Sequence, residues 1–155
     1  MAPVIAVTIS DKPIDPAGTV AQFIATCGED AGAIGQFFGR CRSEQGALSG
    51  LELEHYPGMA EAQIKAACDE AARRWPLTHI NVLHRHGLVR PGETIVAVLT
   101  ASAHREAALM GVQYIKEYLK TDAPIWKRDH RAHGRDGERV QSKATDDEKR
   151  ARWQR

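Results

Sequence analysis

Apolar and polar positions alternate over residues 4–9 (VIAVTI) and again over 51–56 (LELEHY), the period-two pattern of half-buried strands. Residues 79–86 and 94–101 (TIVAVLTA) read as two more strands. The second is apolar almost throughout and is expected at the centre of its sheet. Pro91-Gly92 marks a turn between them, so the two are expected as a hairpin or as near neighbours. Residues 31–40 (AGAIGQFFGR) form a strand whose three glycines predict a bend or bulge. The period changes over residues 59–75. There Ile64, Ala67, Cys68, Ala71, Ala72 and Trp75 share one helical face, and Pro76 stops the helix. A further helix is expected over residues 103–120, with Ser102 as its N-cap and Leu109, Val112, Ile115 and Leu119 as its core stripe. Residues 18–26 read as a short helix, 43–50 as a polar loop and 125–127 as an edge strand.

The order strand, helix, strands, helix, strands, helix predicts an α+β fold with a mainly antiparallel sheet and the helices on one face. Residues 1–128 are expected to form one domain. Residues 129–155 turn strongly polar and read as a tail, partly mobile or ordered against a partner. A chain of 155 residues buries about two-thirds of its unfolded surface, enough for a core without a metal or disulfide staple. The cysteines, Cys27, Cys41 and Cys68, are odd in number and far apart, which fits a reducing compartment and gives no metal-site spacing. No apolar run reaches the roughly 20 residues of a membrane span, and residues 1–10 lack the pattern of a signal peptide, so a cytoplasmic protein is expected. A net charge of +1 supplies no broad field for nucleic acid.

Local charge changes that picture. His104 and Arg105 stand at the expected start of a helix, where the dipole favours anions; cations there are either tolerated at a small cost or held for a bound anion. Lys120 ends the same helix, Lys127 and Arg128 follow a Pro-containing turn, and Arg40 and Arg42 flank Cys41 after the glycine-rich strand. Each cation also has an ordinary reading. Lys120 suits a helix C-terminus, Lys127 lays its stem on Trp126, and the arginines decorate a loop. As a group they form a candidate anion site. At 1.5 Å per residue, His104 and Lys120 lie roughly 24 Å apart along the helix axis, so one small ligand touches both only if two copies of the chain share the site. A homodimer is the expectation. The two arginines beside Cys41 are expected to lower its thiol pKa. His84 and His86 are expected to share a strand face without being metal ligands, and Glu52 and Glu54 to line a solvated face.

The run GQFFGRCR, LELEHYPGM, RWPL, HRHGLVRPGE, SAHR and YLKTDAPIWKR resembles the large, catalytic subunit of molybdopterin synthase, from about residue 32 to 128. The resemblance implies an α/β hammerhead-like fold with a small added subdomain. It also implies transfer of sulfur from the C-terminal Gly-Gly thiocarboxylate of a small ubiquitin-like subunit to cyclic pyranopterin monophosphate, forming a dithiolene. No metal and no organic cofactor is implied. The partners would be the small subunit and a second large subunit, giving a heterotetramer. By motif match, Lys120 and then Lys127 are the implied catalytic residues, and Arg40, Cys41, Arg42, His104, Arg105 and Arg128 line the substrate pocket. Lys143 is implied as a contact to the neighbouring subunit's site, in a tail that lacks the family's tryptophan there. The loop over residues 43–50 is shorter than the family pattern. A module that grips the partner's tail without chemistry is the alternative. A nucleic-acid binder that uses the basic tail is a third reading, which the near-zero net charge disfavours.

Overall fold

The computed structural model describes residues 2–132 and 151–153. Its elements, in chain order, are β1 (Val4–Ser10), α1 (Pro16–Cys27), β2 (Ala33–Arg40), β3 (Leu48–His55), α2 (Met59–Arg74), β4 (Leu77–Arg85), β5 (Gly87–Val89), β6 (Thr94–Ser102), α3 (Arg105–Thr121) and β7 (Ile125–Arg131). Four strands form one sheet in the order β1-β4-β6-β2, parallel only at β1–β4. The others form a smaller antiparallel sheet, β5-β3-β7. The architecture is mixed α+β and mainly antiparallel, as the pattern predicts. β4 and β6 are antiparallel neighbours, but β5 intervenes and joins the second sheet. β3 begins at Leu48, so the polar loop is shorter than its composition suggests.

β6 is buried at every position because strands flank it on both sides and helices cover both of its faces. Val96 and Val98 point into the larger core with Ile64, Val112 and Ile115. Ala97, Leu99 and Ala101 point the other way, against Phe23 and Cys27 of α1. The expectation of helices on one face is therefore corrected. α2 and α3 cover one face, and α1, whose apolar positions match the reverse face of β6, covers the other.

The course of α3 fixes the site. Thr100 Oγ1 donates to the Ala108 carbonyl at 2.7 Å. A Cβ on Gly35 would lie 2.7 Å from that same carbonyl oxygen, so glycine lets the helix lie against β2. Farther on, Lys116 Nζ stands 5.8 Å from the centre of the Phe37 ring. α3 therefore starts at the Ala33 end of β2 and runs towards its Arg40 end. The expected bulge in this glycine-rich strand falls at Gly39/Arg40. Two local expectations are corrected. Leu109 is 61% exposed, because the buried stripe runs through Ala107, Ala108, Gly111, Val112 and Ile115 and leaves it on the outer side. Ser102 is not the N-cap. It is the last residue of β6, its hydroxyl donates to the Pro76 carbonyl at 2.9 Å, and His104 takes the cap position.

Candidate functional site

The cations divide into two groups at opposite ends of α3. The first gathers where β2 ends. Arg40 donates through Nε and Nη2 to the Gly92 carbonyl, at 3.3 and 3.0 Å, which ties this strand end to the turn before β6. Cys41 is held on the same turn: its N–H donates to the Glu93 carbonyl at 2.9 Å, and its carbonyl accepts from Gly92 at 2.7 Å. Cys41 is buried and Arg42, next along, is exposed. Lys120 lies in the last turn of α3. The helix closes with Asp122 N–H donating to the Tyr118 carbonyl at 2.8 Å, and β7 starts three residues later. Lys120 and Lys127 thus flank one tight turn.

On β7, Lys127 and Arg128 face opposite ways. Lys127 is opposite Leu53, which is 2% exposed, and its charge bears on both Cys41 and His84. Arg128 is opposite Glu52 and pairs with Glu54 at 3.5 Å on the outer face. The structure therefore brings Lys127 to Cys41 and leaves Arg128 apart from both. Glu52 and Glu54 do share that outer face, with His130 Nε2 2.8 Å from Glu52. Burial pushes the Cys41 thiol up, with Glu93, Asp129 and Glu44 adding to the shift and Lys127 opposing it. The expected lowering by the flanking arginines is corrected: backbone direction sends the thiol inward, among carboxylates. Cys41 is a packing residue of this site in its neutral form.

The second group is at the other end of α3. His104 is the N-cap with extended backbone (φ −125°, ψ 147°) and makes no side-chain cap; Arg105 is the first helical residue, and both are exposed. Sixteen residues at 1.5 Å put His104 about 24 Å from Lys120. Within one chain, the two ends do not serve one small ligand. Lys143 lies outside the described residues.

Sequence reasoning missed the buried polar groups beneath Lys127. His84 is 5% exposed, and its Nδ1 lies 2.7 Å from the Arg85 carbonyl. Burial pulls its pKa down to about 4, and the Lys127 and His55 charges act in the same direction. The ring is neutral, so Nδ1 carries the proton that faces the carbonyl and Nε2 keeps a lone pair. His86 lies past the end of β4, with its ring 4.8 Å from that of His55, whose charge also bears on His84. Arg85 is also buried. Its Nη2 donates to the Leu88 carbonyl at 3.2 Å, Nη1 lies 3.8 Å from Glu93, and Nε and Nη1 have no hydrogen-bond partner. Glu93 Oε1 accepts from the Arg90 N–H at 2.7 Å, so one turn carries Arg40, Cys41 and the Arg85 approach together. The signal was present in HRHGLVRPGE, as a cation and an acid bracketing a turn. Among the described residues, no group of three or more His, Cys, Asp or Glu is arranged to hold a metal ion.

This arrangement suits an anion. It offers two lysines around one turn, an arginine on the adjoining loop and walls of buried strand. Lysine supplies a compact charge, and arginine a planar fork for carboxylate or phosphate.

Comparison with known proteins agrees with the fold and the motifs. The family model described as MoaE protein matches residues 9–122. The molybdopterin synthase catalytic subunit of Mesorhizobium japonicum is 54% identical over 106 residues, 68% of this chain and 67% of that protein. The aligned part is thus about two-thirds of the relative's own length. Among solved structures, the molybdopterin biosynthesis MoaE protein from Burkholderia ambifaria matches with a TM-score of 0.81 at 34% identity, over 97% of this chain and 98% of that one. The molybdopterin synthase from Staphylococcus aureus matches with a TM-score of 0.72 at 30% identity, over 81% and 91%. With its family model covering most of both sheets and all three helices, this chain belongs to the MoaE protein family.

Proposed function

We propose that this chain is the catalytic subunit of a molybdopterin synthase. It transfers sulfur from the C-terminal thiocarboxylate of a small ubiquitin-like subunit to cyclic pyranopterin monophosphate, forming the dithiolene. What supports the reading is that Lys120 and Lys127 flank one turn and that the Lys127 charge bears on Cys41, between Arg40 and Arg42, in a chain of this family. Lys120 and Lys127 orient the thiocarboxylate and stabilise negative charge as sulfur is transferred. Arg42 holds the phosphate or the pterin. Arg40 and Cys41 act through the Gly92–Glu93 turn, which they fasten. The neutral thiol and the neutral His84 keep further charge out of the pocket floor.

His104 and Arg105 complete the site from a second copy of the chain. Two-fold symmetry then builds two equivalent sites. The exposed Leu109 and Ile34 lie at that end of the molecule and suit a contact between copies. The three buried cysteines, all free thiols, fit a reducing cytoplasm. No helix of the described residues is long and apolar enough to cross a membrane.

The test is to mix the purified chain with thiocarboxylated small subunit and cyclic pyranopterin monophosphate and to assay the dithiolene product. Product formation supports the reading. Docking of the small subunit without product would make the chain a binding module instead.

A further inference from the structure

One buried charge is incompletely matched by its surroundings. Arg85, the last residue of β4, is 5% exposed, and among the described residues its Nε and Nη1 have no hydrogen-bond partner. Nη2 donates to the Leu88 carbonyl of β5 at 3.2 Å. Nη1 lies 3.8 Å from Glu93 Oε2, near enough for the charges to attract and too far for a hydrogen bond. Burying a guanidinium is costly, and an apolar side chain of similar volume in its place is often neutral or stabilising. Filling space therefore does not account for an arginine at this position. What the guanidinium does is join β5 to Glu93, and Glu93 organises a turn.

That turn, over residues 90–93, is closed twice by Glu93. Its Oε1 accepts from the Arg90 N–H at 2.7 Å, and its own N–H donates to the Arg90 carbonyl at 3.0 Å. The Arg85 charge, on the other carboxylate oxygen, holds the side chain in the pose that makes the first of these bonds. Gly92 supplies the left-handed backbone the turn needs, with φ 90°. The same turn grips the end of β2. The Glu93 carbonyl accepts from the Cys41 N–H at 2.9 Å, the Gly92 N–H donates to the Cys41 carbonyl at 2.7 Å, and the Gly92 carbonyl takes both Arg40 donors. Arg42 is the first residue beyond this fastening, and it is exposed. The direction in which it leaves the sheet is set by the Cys41 backbone, and the turn sets that backbone.

We propose that Arg85 is a positioning residue for Arg42. Through Glu93 it fixes the turn to which Arg40 and Cys41 are bonded, and so aims the Arg42 guanidinium at the anionic substrate. The proposal rests on the reading of Arg42 given above. It gives a buried cation a part in substrate recognition that involves no contact with substrate.

The experiment uses the full chain with thiocarboxylated small subunit and cyclic pyranopterin monophosphate. Glu93→Gln, Arg85→Met and the pair variant Arg85→Met/Glu93→Gln are each made in the unaltered chain and in an Arg42→Ala background. Glutamine keeps an oxygen for the Arg90 N–H, and methionine fills the space with a flexible apolar chain. Glu93→Gln strands the buried guanidinium and is expected to lower the unfolding temperature; adding Arg85→Met removes that charge and restores it. In the unaltered chain, all three are expected to raise KM for the pterin substrate by about tenfold, the size of one misdirected charged hydrogen bond, with a smaller change in kcat. In the Arg42→Ala background the same substitutions are expected to change KM by less than about twofold, because the residue they aim is gone. An equal rise in both backgrounds overturns the proposal, as does an unchanged KM in Arg85→Met. A KM that returns to normal in the pair variant together with the unfolding temperature also overturns it, since a purely structural charge pair is repaired by removing both halves. If Arg42→Ala alone leaves KM unchanged, the reading of Arg42 fails, and the single variant tells that result apart from a failed coupling.

Discussion

The two ends of α3 are finished in contrasting ways. At the start, His104 caps nothing with its side chain, Arg105 opposes the dipole, and both are exposed. At the finish, Thr121 Oγ1 donates to the Glu117 carbonyl at 2.9 Å, the closing turn hydrogen-bonds to Tyr118, and Glu117 is gripped by residues from the chain's far end. A helix that only had to be stable would carry an acidic or hydroxyl cap at its start. The open end forgoes that gain and leaves His104 and Arg105 exposed. The closed end fixes the backbone from which Lys120 projects. One end is built to reach and the other to hold still.

The largest effect expected from breaking this contrast is at the closed end. Lys120→Ala should lower the sulfur-transfer rate on the order of 10²–10³-fold, the usual loss for one positioned electrostatic donor. Sedimentation should show the assembly unchanged.

Beneath that end, acid should loosen the fold. The His84 pKa is about 4 in the folded chain, below its ordinary value near 6.5. Its stabilising contribution is fully present above pH 6.5 and is lost as the pH falls towards 4, roughly 3 kcal/mol in all. Urea unfolding between pH 7 and 4 checks this, and His84→Gln should flatten the dependence.

At the open end, Arg105→Ala should raise KM for the pterin substrate by about 10–100-fold with little change in unfolding temperature, as expected for loss of a charged hydrogen bond to ligand. Mixed dimers with Lys120→Ala sharpen the point: one of their two sites receives both defects and the other neither, so they should retain about half the wild-type activity if the site is shared.

His104→Asp should act in opposite directions on stability and function. An aspartate cap adds about 1 kcal/mol, worth roughly 2–4 °C in a chain of this size, while substrate affinity falls. Calorimetry and kinetics on the same preparation test it. The smallest effect is at Arg128, paired with Glu54 on the outer face. Arg128→Ala should change stability by under about 1 kcal/mol and leave kcat alone.

How far this site could be read from the sequence depends on sequence distance. α2 was legible because its apolar spacing is regular and Pro76 ends it. The placing of Lys120 and Lys127 on either side of one turn was legible because Pro124 follows the end of the helix, and the rise per residue alone gives the span of about 24 Å along α3. Leu109 misled because hydrophobicity alone placed it inward, whereas Ala108 and Gly111 set the face that packs. Cys41 misled because neighbours in sequence are not neighbours in space on an extended backbone. The Glu117–Trp153 contact was invisible: its two halves are 36 residues apart, and nothing local marks either one as a partner. Arg85 and His84 read as an ordinary basic strand end, because their burial is a tertiary property: Arg85 folds back on the Leu88 carbonyl and towards Glu93, and His84 lies within reach of the Lys127 charge.

Lys127 and Arg128 sit side by side yet serve opposite sides of one strand. Their assignment depends only on counting residues from Lys120. Deleting a single residue from the turn over 122–124 would swap them, sending the guanidinium inward and the ammonium to the Glu54 side. The length of that short connector therefore sets which of the two side chains lies opposite Leu53, something no substitution scan would uncover.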